Sequence, residues 1–328
     1  MRPGVAIPRD EITCRRALAQ GGHRYDQIVR ELGEPEQRGA DQEEVTIMAA
    51  GLTAKRQRRL ASFIEPFRVA PGRTVKLARD FEPAFRGGIE RKKEGVALLQ
   101  EGVQLLSEYQ ARLAAENRWG VLVVLQALDT AGKDGTIRHV MSGVNPQGVA
   151  VHSFKVPSAE ELDHDYLWRY AQRLPARGEI GIYNRSHYEE VLVVRVHPEA
   201  LAREKLPDQA QKGDLWKRRY REINDWERYL TGNGFRIVKL FLNLSREEQR
   251  VRFLRRIDLP DHNWKFSEAD VRERARWDDY QAAFSDALSH TSTEAAAIRA
   301  NHLRSVGITH HGAQSVLVCE RVSEKAAW

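Results

Sequence analysis

The segment Val121 to Gly148, VLVVLQALDTAGKDGTIRHVMSGVNPQG, constrains the fold more than any other part of this 328-residue chain. Its first five residues, Val121 to Leu125, are apolar and mostly β-branched, the composition of a strand buried on both faces. A glycine-containing loop follows, and an amphipathic run beginning near Thr136 predicts a helix. Strand, loop and helix in that order build a phosphate cradle. Glycines let backbone N–H groups approach phosphate oxygens, the helix N-terminus adds positive potential, and a lysine brings a mobile charge. The candidate cradle residues are Asp129, Ala131, Gly132, Lys133, Asp134, Gly135 and Thr136. Against the P-loop pattern the match is partial: Ala127 stands in place of the first glycine, and Asp134 replaces the metal-binding hydroxyl. An ordinary strand-to-helix turn, with its lysine facing water, is the competing reading.

Length and charge bound the rest. A chain of 328 residues can bury one large α/β core with extensions. Lys and Arg number 52 against 46 Asp and Glu, so the excess of +6 is modest within a charged fraction of 30%. That balance fits an enzyme with a local basic groove better than a general coat for nucleic acid. No aromatic-interleaved basic motif or recognition helix is evident, so nucleic acid is not an expected partner. Cys14 and Cys319 are too few and too far apart to suggest a disulfide framework or a zinc site, and they fit a reducing cytoplasm. The N-terminus MRPGVAIPRDE has no apolar signal core, and no apolar run approaches bilayer length. A cytoplasmic protein without a membrane partner is expected.

Residues 1–66 read as an N-terminal extension, partly disordered or helical, with short helices at Tyr25 to Leu32 and Arg56 to Phe67. Val69 to Leu77 reads as a strap across the core. Val96, Leu99, Val103, Leu106, Tyr109 and Leu113 recur every three or four residues, predicting one long amphipathic helix from Glu90 to Glu116. After the central loop, strands and helices alternate, the pattern of a parallel sheet covered on both faces. Further strands are expected at Gly148 to Phe154, Glu179 to Tyr183 and Phe235 to Leu242. Ligands of open α/β sheets lie beyond the carboxyl ends of the strands, so Asp129, Lys133, Lys155, Asn184 and Arg185 should gather at one edge.

Several ordered motifs between Phe67 and Ala296 resemble the polyphosphate kinase 2 family. They are QALDTAGKDGTIRHVMSGVNPQG (Gln126 to Gly148), SFKVPSAEELDHDYLWR (Ser153 to Arg169), IGIYNRSHYEEVLVVRVHP (Ile180 to Pro198), NDWERYL (Asn224 to Leu230), LPDHNWKFSEADVRERARWDDY (Leu259 to Tyr280) and HTSTEA (His290 to Ala295). The Asn184-Arg185 pair, where other members carry Asp-Arg, and the NPQG and HNWKF strings look most like the subgroup accepting both AMP and ADP. The resemblance implies a P-loop kinase-like α/β three-layer sandwich with a parallel sheet and a helical lid at about 258–289. It implies phosphoryl transfer between inorganic polyphosphate and AMP, ADP or ATP with Mg²⁺, or Mn²⁺ in its place, by a dimer or tetramer. An ATP-dependent kinase of the same fold and a polyphosphate-binding protein without turnover are the alternatives.

Chemistry assigns the residues beside that resemblance. Phosphoryl transfer rests on alignment and on neutralising charge at the transferring group. An acceptor phosphate oxygen is already anionic near neutral pH, so no strong general base is required. Asp129 therefore makes sense as a metal ligand, with Glu189 either assisting or standing as a surface charge. Lys133 and the planar fork of Arg185 would hold bridging phosphate, and Asn184 would orient phosphate or metal-bound water. A polyanionic chain needs a basic groove, for which Arg138, Lys155, Arg195 and Lys265 are candidates. Ser267 resembles an N-cap with Asp270 three residues on, and a helix carrying Val271, Trp277, Tyr280, Phe284 and Leu288 is expected to follow. Among Arg272, Arg274 and Arg276, spread around that helix, one or two should reach the site.

From Ala297 to Trp328 the sequence departs from the family, which continues with an apolar strand and an amphipathic helix. A changed reading frame would produce such a pattern. This divergent tail follows a catalytic domain spanning 67–296, and Ser315 to Cys319 is the one segment resembling the missing strand. His310-His311 lacks a nearby carboxylate or cysteine and reads as tail, not as a metal site.

Overall fold

The computed structural model describes residues 65–302, apart from 83–84 and 86–88. The readings of Met1 to Gly51, of most of Arg56 to Phe67, and of His310, His311 and Ser315 to Cys319 lie outside them.

The apolar runs form the sheet. Strands β1 (Gly120–Ala127), β2 (Val149–Ser153), β3 (Ile180–Asn184), β4 (Phe235–Asn243) and β5 (Ile298–His302) pair in parallel in the order β2-β3-β1-β4-β5. β1 is central, running from Val121 opposite Ile180 to Leu125 opposite Asn184 on one side, and against β4 on the other. That position explains its composition: Leu122 and Val124 enter one core while Val121, Val123 and Leu125 enter the other. Helices α1 (Lys92–Glu116) and α2 (Lys133–Val140) cover one face with Leu105, Leu106, Tyr109, Leu113 and Val140. After these come α3 (Leu215–Gly232), α4 (Arg246–Asp258), α5 (Glu268–Ala275) and α6 (Trp277–Thr291). Tyr220, Ile223 and Leu230 of α3 and Tyr280, Phe284 and Leu288 of α6 cover the opposite face. The result is the expected three-layer sandwich. No helix among the described residues is long and apolar enough to cross a membrane.

Two features differ from the sequence reading. The edge strand β5 lies inside the segment read as divergent tail. It pairs from Ile298 opposite Lys239 to His302 opposite Asn243, so the sheet continues past Ala296. The Val69 strap closes this edge: its N–H donates to the Ile298 carbonyl at 2.9 Å, and the Ser292 hydroxyl donates to the Val69 carbonyl at 2.6 Å. In IRANH, Ile298 and Ala300 join the core cluster, an alternation too short to stand out in sequence. The lid also forms two helices where one was expected. Ser267 caps α5, accepting from the Ala269 N–H at 3.2 Å, but Asp270 pairs with Arg256 at 2.9 Å and completes no capping box. No described side chain from 259 to 275 is buried, so nothing requires α5 to continue the buried stripe of α6.

Candidate active site

Because β1 and β3 are neighbours, the loops that follow them emerge side by side at the carboxyl edge. Arg185 bridges them: Nη2 lies 3.2 Å from Asp129 Oδ1, and Nη1 lies 3.5 Å from Glu189 Oε2. The backbone fixes this arrangement, with the Arg185 N–H donating to the Leu125 carbonyl at 3.1 Å. Arg185 and Thr130 both adopt left-handed φ angles, 65° and 64°, a strained region for non-glycine residues that is concentrated at functional sites. Glu189 holds Arg185 above the ordinary arginine range against the opposing effect of burial, with Asp129 adding to it. Burial pushes the Glu189 carboxyl up, opposed by Arg185 and Lys133.

Gly132 takes φ 93°, the conformation that only glycine adopts without strain, and caps α2, which starts at Lys133 and not near Thr136. Lys133 Nζ donates to the Ala127 carbonyl at 3.0 Å, folding the lysine back over the loop. Burial lowers its ammonium below the ordinary lysine value, while Asp129 acts in the opposite direction; Arg185, Glu189 and Asp134 also act on it electrostatically. These four charges and Lys133 therefore form one cluster. Asn184 Nδ2 donates to Asp134 Oδ1 at 2.8 Å and to Ser153 Oγ at 3.3 Å, tying the ends of β3 and β2 to the first turn of α2. Ala131 is buried, its N–H donating to the Leu128 carbonyl at 3.2 Å. A Cβ on Gly135 would meet open space, so the protein's own packing does not demand glycine there. Thr136 is buried with its hydroxyl sealed from solvent.

A cavity of about 630 Å³ opens beside this cluster, lined by Asp129, Lys155, Arg185, Glu189, Gln249 and Arg274 among others. Lys155 is exposed there, and its carbonyl is held by Arg169 Nη2 at 3.0 Å. Other groove candidates lie apart. Arg195 donates to the Tyr220 hydroxyl and pairs with Asp286, both at 2.6 Å, so it braces α3 against α6. Arg138 is exposed on α2, and Lys265 lies 5.0 Å over the ring of Trp264, itself 78% exposed. Of the lid arginines only Arg274 lines the cavity; Arg272 pairs with Glu268 at 3.7 Å and Arg276 donates to the Val196 carbonyl at 3.1 Å.

Three sets of residues escaped the sequence reading. Gln249 contacts both the Asp129 carbonyl and Arg274. Arg219 is fully buried at the cavity wall, pairing with Glu204 and, at 3.6 Å, with Glu190. Burial and the Glu204 carboxylate push Glu190 up to about 8. Following Arg185, His187 and Tyr188 are anchored on Glu227 at 3.3 and 3.0 Å, and Glu227 pairs with Lys239 at 2.6 Å. A lysine inside the apolar run FRIVKLFL is the one sequence signal that points to a buried ion pair.

The family model described as Polyphosphate kinase 2 matches residues 89–310. The ADP-polyphosphate phosphotransferase of Rhodopseudomonas palustris is 53% identical over 232 residues, 70% of this chain and 79% of that protein. The AMP/ADP-polyphosphate phosphotransferase of Meiothermus ruber is 46% identical over 235 residues, 70% of this chain and 82% of that one. The crystal structure of Polyphosphate Kinase 2 from Arthrobacter aurescens TC1 superposes with a TM-score of 0.70 at 38% identity, covering 80% of this chain and 90% of that chain. The chain therefore belongs to the polyphosphate kinase 2 family.

Proposed function

We propose that this protein is a transferase that moves a phosphoryl group between inorganic polyphosphate and AMP or ADP, forming ADP or ATP. The observation that carries the reading is the meeting of Lys133, Arg185 and two carboxylates at the carboxyl edge of a parallel sheet. Relatives named as polyphosphate phosphotransferases, aligned over most of both chains, support it and do not favour a same-fold ATP-dependent kinase or a binding protein without turnover.

In the forward step an oxygen of the nucleotide's terminal phosphate forms a bond to the terminal phosphorus of polyphosphate. The bond from that phosphorus to the next phosphate breaks, leaving the chain one phosphate shorter. Lys133 and Arg185 hold the phosphates in line and offset the charge that collects on the transferring group. Asn184 keeps Asp134 and the loop in place, while Arg274 and Lys155 add cations to the cavity lining. Asp129 and Glu189 suit Mg²⁺ or Mn²⁺, because Mg²⁺ takes one or two carboxylates and completes its shell with water and phosphate oxygens. When bound, that ion neutralises charge between the donor and acceptor phosphates.

A cytoplasmic dimer or tetramer, acting without nucleic acid or membrane, completes the proposal. Family membership and the exposed apolar residues Leu254, Ile257 and Trp264 support self-association. The test is to incubate the protein with long-chain polyphosphate and Mg²⁺, supplying AMP and ADP separately, and to resolve the nucleotides by chromatography. ADP or ATP is expected to form; absence of product from both acceptors would contradict the reading.

A further inference from the structure

We infer that Gln249 is a positioning residue for phosphoryl transfer, coupling the Arg274 guanidinium of the lid to the backbone of the Asp129 loop; the inference rests on the site reading above. Gln249 is buried on α4, and both ends of its amide are used. Nε2 donates to the Asp129 carbonyl at 3.3 Å, and Oε1 accepts from Arg274 Nη1 at 3.0 Å. These partners fix the orientation of the amide, since a carbonyl needs a donor and a guanidinium needs an acceptor. An ionised glutamate offers no donor for the carbonyl, and methionine fills the space with no strong hydrogen-bonding group.

The same helix makes a second contact three residues on, where Arg252 Nη1 donates to the Thr130 carbonyl at 3.0 Å. Gln249 and Arg252 thus grip consecutive carbonyls of the loop at the residue whose φ is 64°. On the lid side, Arg274 Nη1 also donates to the Arg246 carbonyl at 2.6 Å, at the start of α4. Among the described residues, α4 orients the Arg274 guanidinium through one backbone carbonyl and one amide. Burial and the nearby Arg246 lower the Arg274 guanidinium below the ordinary arginine value, and an anion beside it acts in the opposite direction. Asp129, Gln249 and Arg274 all line the same cavity. A shift of the amide moves the carboxylate-bearing loop and the lid cation together.

Turnover with polyphosphate and ADP should be measured for the wild type, Gln249→Met, Arg274→Met, the double variant and Lys133→Ala, with melting temperatures alongside. Coupling predicts that each of the first two single variants loses about tenfold in kcat, with the nucleotide KM within about threefold of wild type. The double variant should lose little more than either single, about 20-fold and not 100-fold. A residue that supports only the fold would lower the melting temperature without this non-additivity. Wild-type kcat in Gln249→Met, or a double loss equal to the product of the singles, overturns the inference. Should Gln249→Met not fold, Gln249→Glu keeps the acceptor for Arg274 and removes the donor; it should still lower kcat, and wild-type turnover overturns the coupling. If Lys133→Ala is inactive while Gln249→Met is unaffected, this inference fails alone. Full activity in Lys133→Ala overturns the site reading and this inference with it.

Discussion

Lys239→Met tests the buried foundation on which the Arg185–Glu189 turn stands. Lys239 is 2% exposed and Glu227 1%, and their charged groups meet at 2.6 Å. Burial opposes ionisation of Glu227, but the Lys239 ammonium and the His187 contact together outweigh it and hold the carboxyl below its ordinary value. Removing one partner of a buried pair costs about 3–5 kcal/mol, because the other charge is left uncompensated. Here Glu227 would keep His187 at 3.3 Å and the Tyr188 hydroxyl at 3.0 Å, while the Thr291 carbonyl would lose a 2.6 Å donor. The retained contacts place the expected cost near the lower end, about 3 kcal/mol. At about 2.1 cal/mol/K of unfolding entropy per residue, a chain of 328 residues then melts about 4–5 °C lower. Urea unfolding at pH 7.5 measures the cost directly, provided the slope with denaturant is unchanged. Glu227→Gln added to Lys239→Met keeps an acceptor for Tyr188 without the charge, and stability should return to within about 1 kcal/mol of wild type. A single-variant cost under about 1 kcal/mol, or a double variant no more stable than the single, would refute the reasoning.

Two further outcomes follow from local geometry. His197 lies between Glu199 at 2.8 Å and Glu273 of α5 at 2.9 Å; burial would lower its pKa, but these hydrogen bonds outweigh it and raise the value. Its contribution is full below the ordinary histidine value of about 6.5 and is lost as pH rises through the raised folded value. The urea midpoint should therefore fall more steeply from pH 6 to 8.5 in wild type than in His197→Phe, and equal slopes would contradict this. Gly181→Ala drives a Cβ to 2.9 Å from the rigid Pro175 ring and should cost about 1–3 kcal/mol in the same assay; a loss under about 0.5 kcal/mol would show that the Pro175 segment yields.

Strands β1 to β4 were legible because each is a short apolar run between turns, and they lie within two residues of their expected bounds. The positions of Asp129, Asn184 and Arg185 were legible for a topological reason: residues just past parallel strands emerge on one edge. What sequence could not carry was the partner of each charge. Arg195 looks available in VLVVRVHP, yet its partner Asp286 is 91 positions away on α6. Gln249 sits in REEQRVRFLRRID, a helix whose polarity suggests solvent, and it is buried only because α4 packs beside the Asp129–Thr130 loop. β5 was hidden for a similar reason, since its strand character comes from its register against β4 and from the Val69 strap.

The central claim, that phosphoryl transfer takes place at the Lys133 loop, is tested most directly by Lys133→Ala assayed with polyphosphate, Mg²⁺ and ADP. Among the described residues the Lys133 ammonium donates one hydrogen bond, to the Ala127 carbonyl, so the fold should persist with a nearly unchanged melting temperature. Losing a preorganised cation at the transferring group should lower kcat by about 10²-fold or more. A folded Lys133→Ala protein that turns over at the wild-type rate would contradict the account.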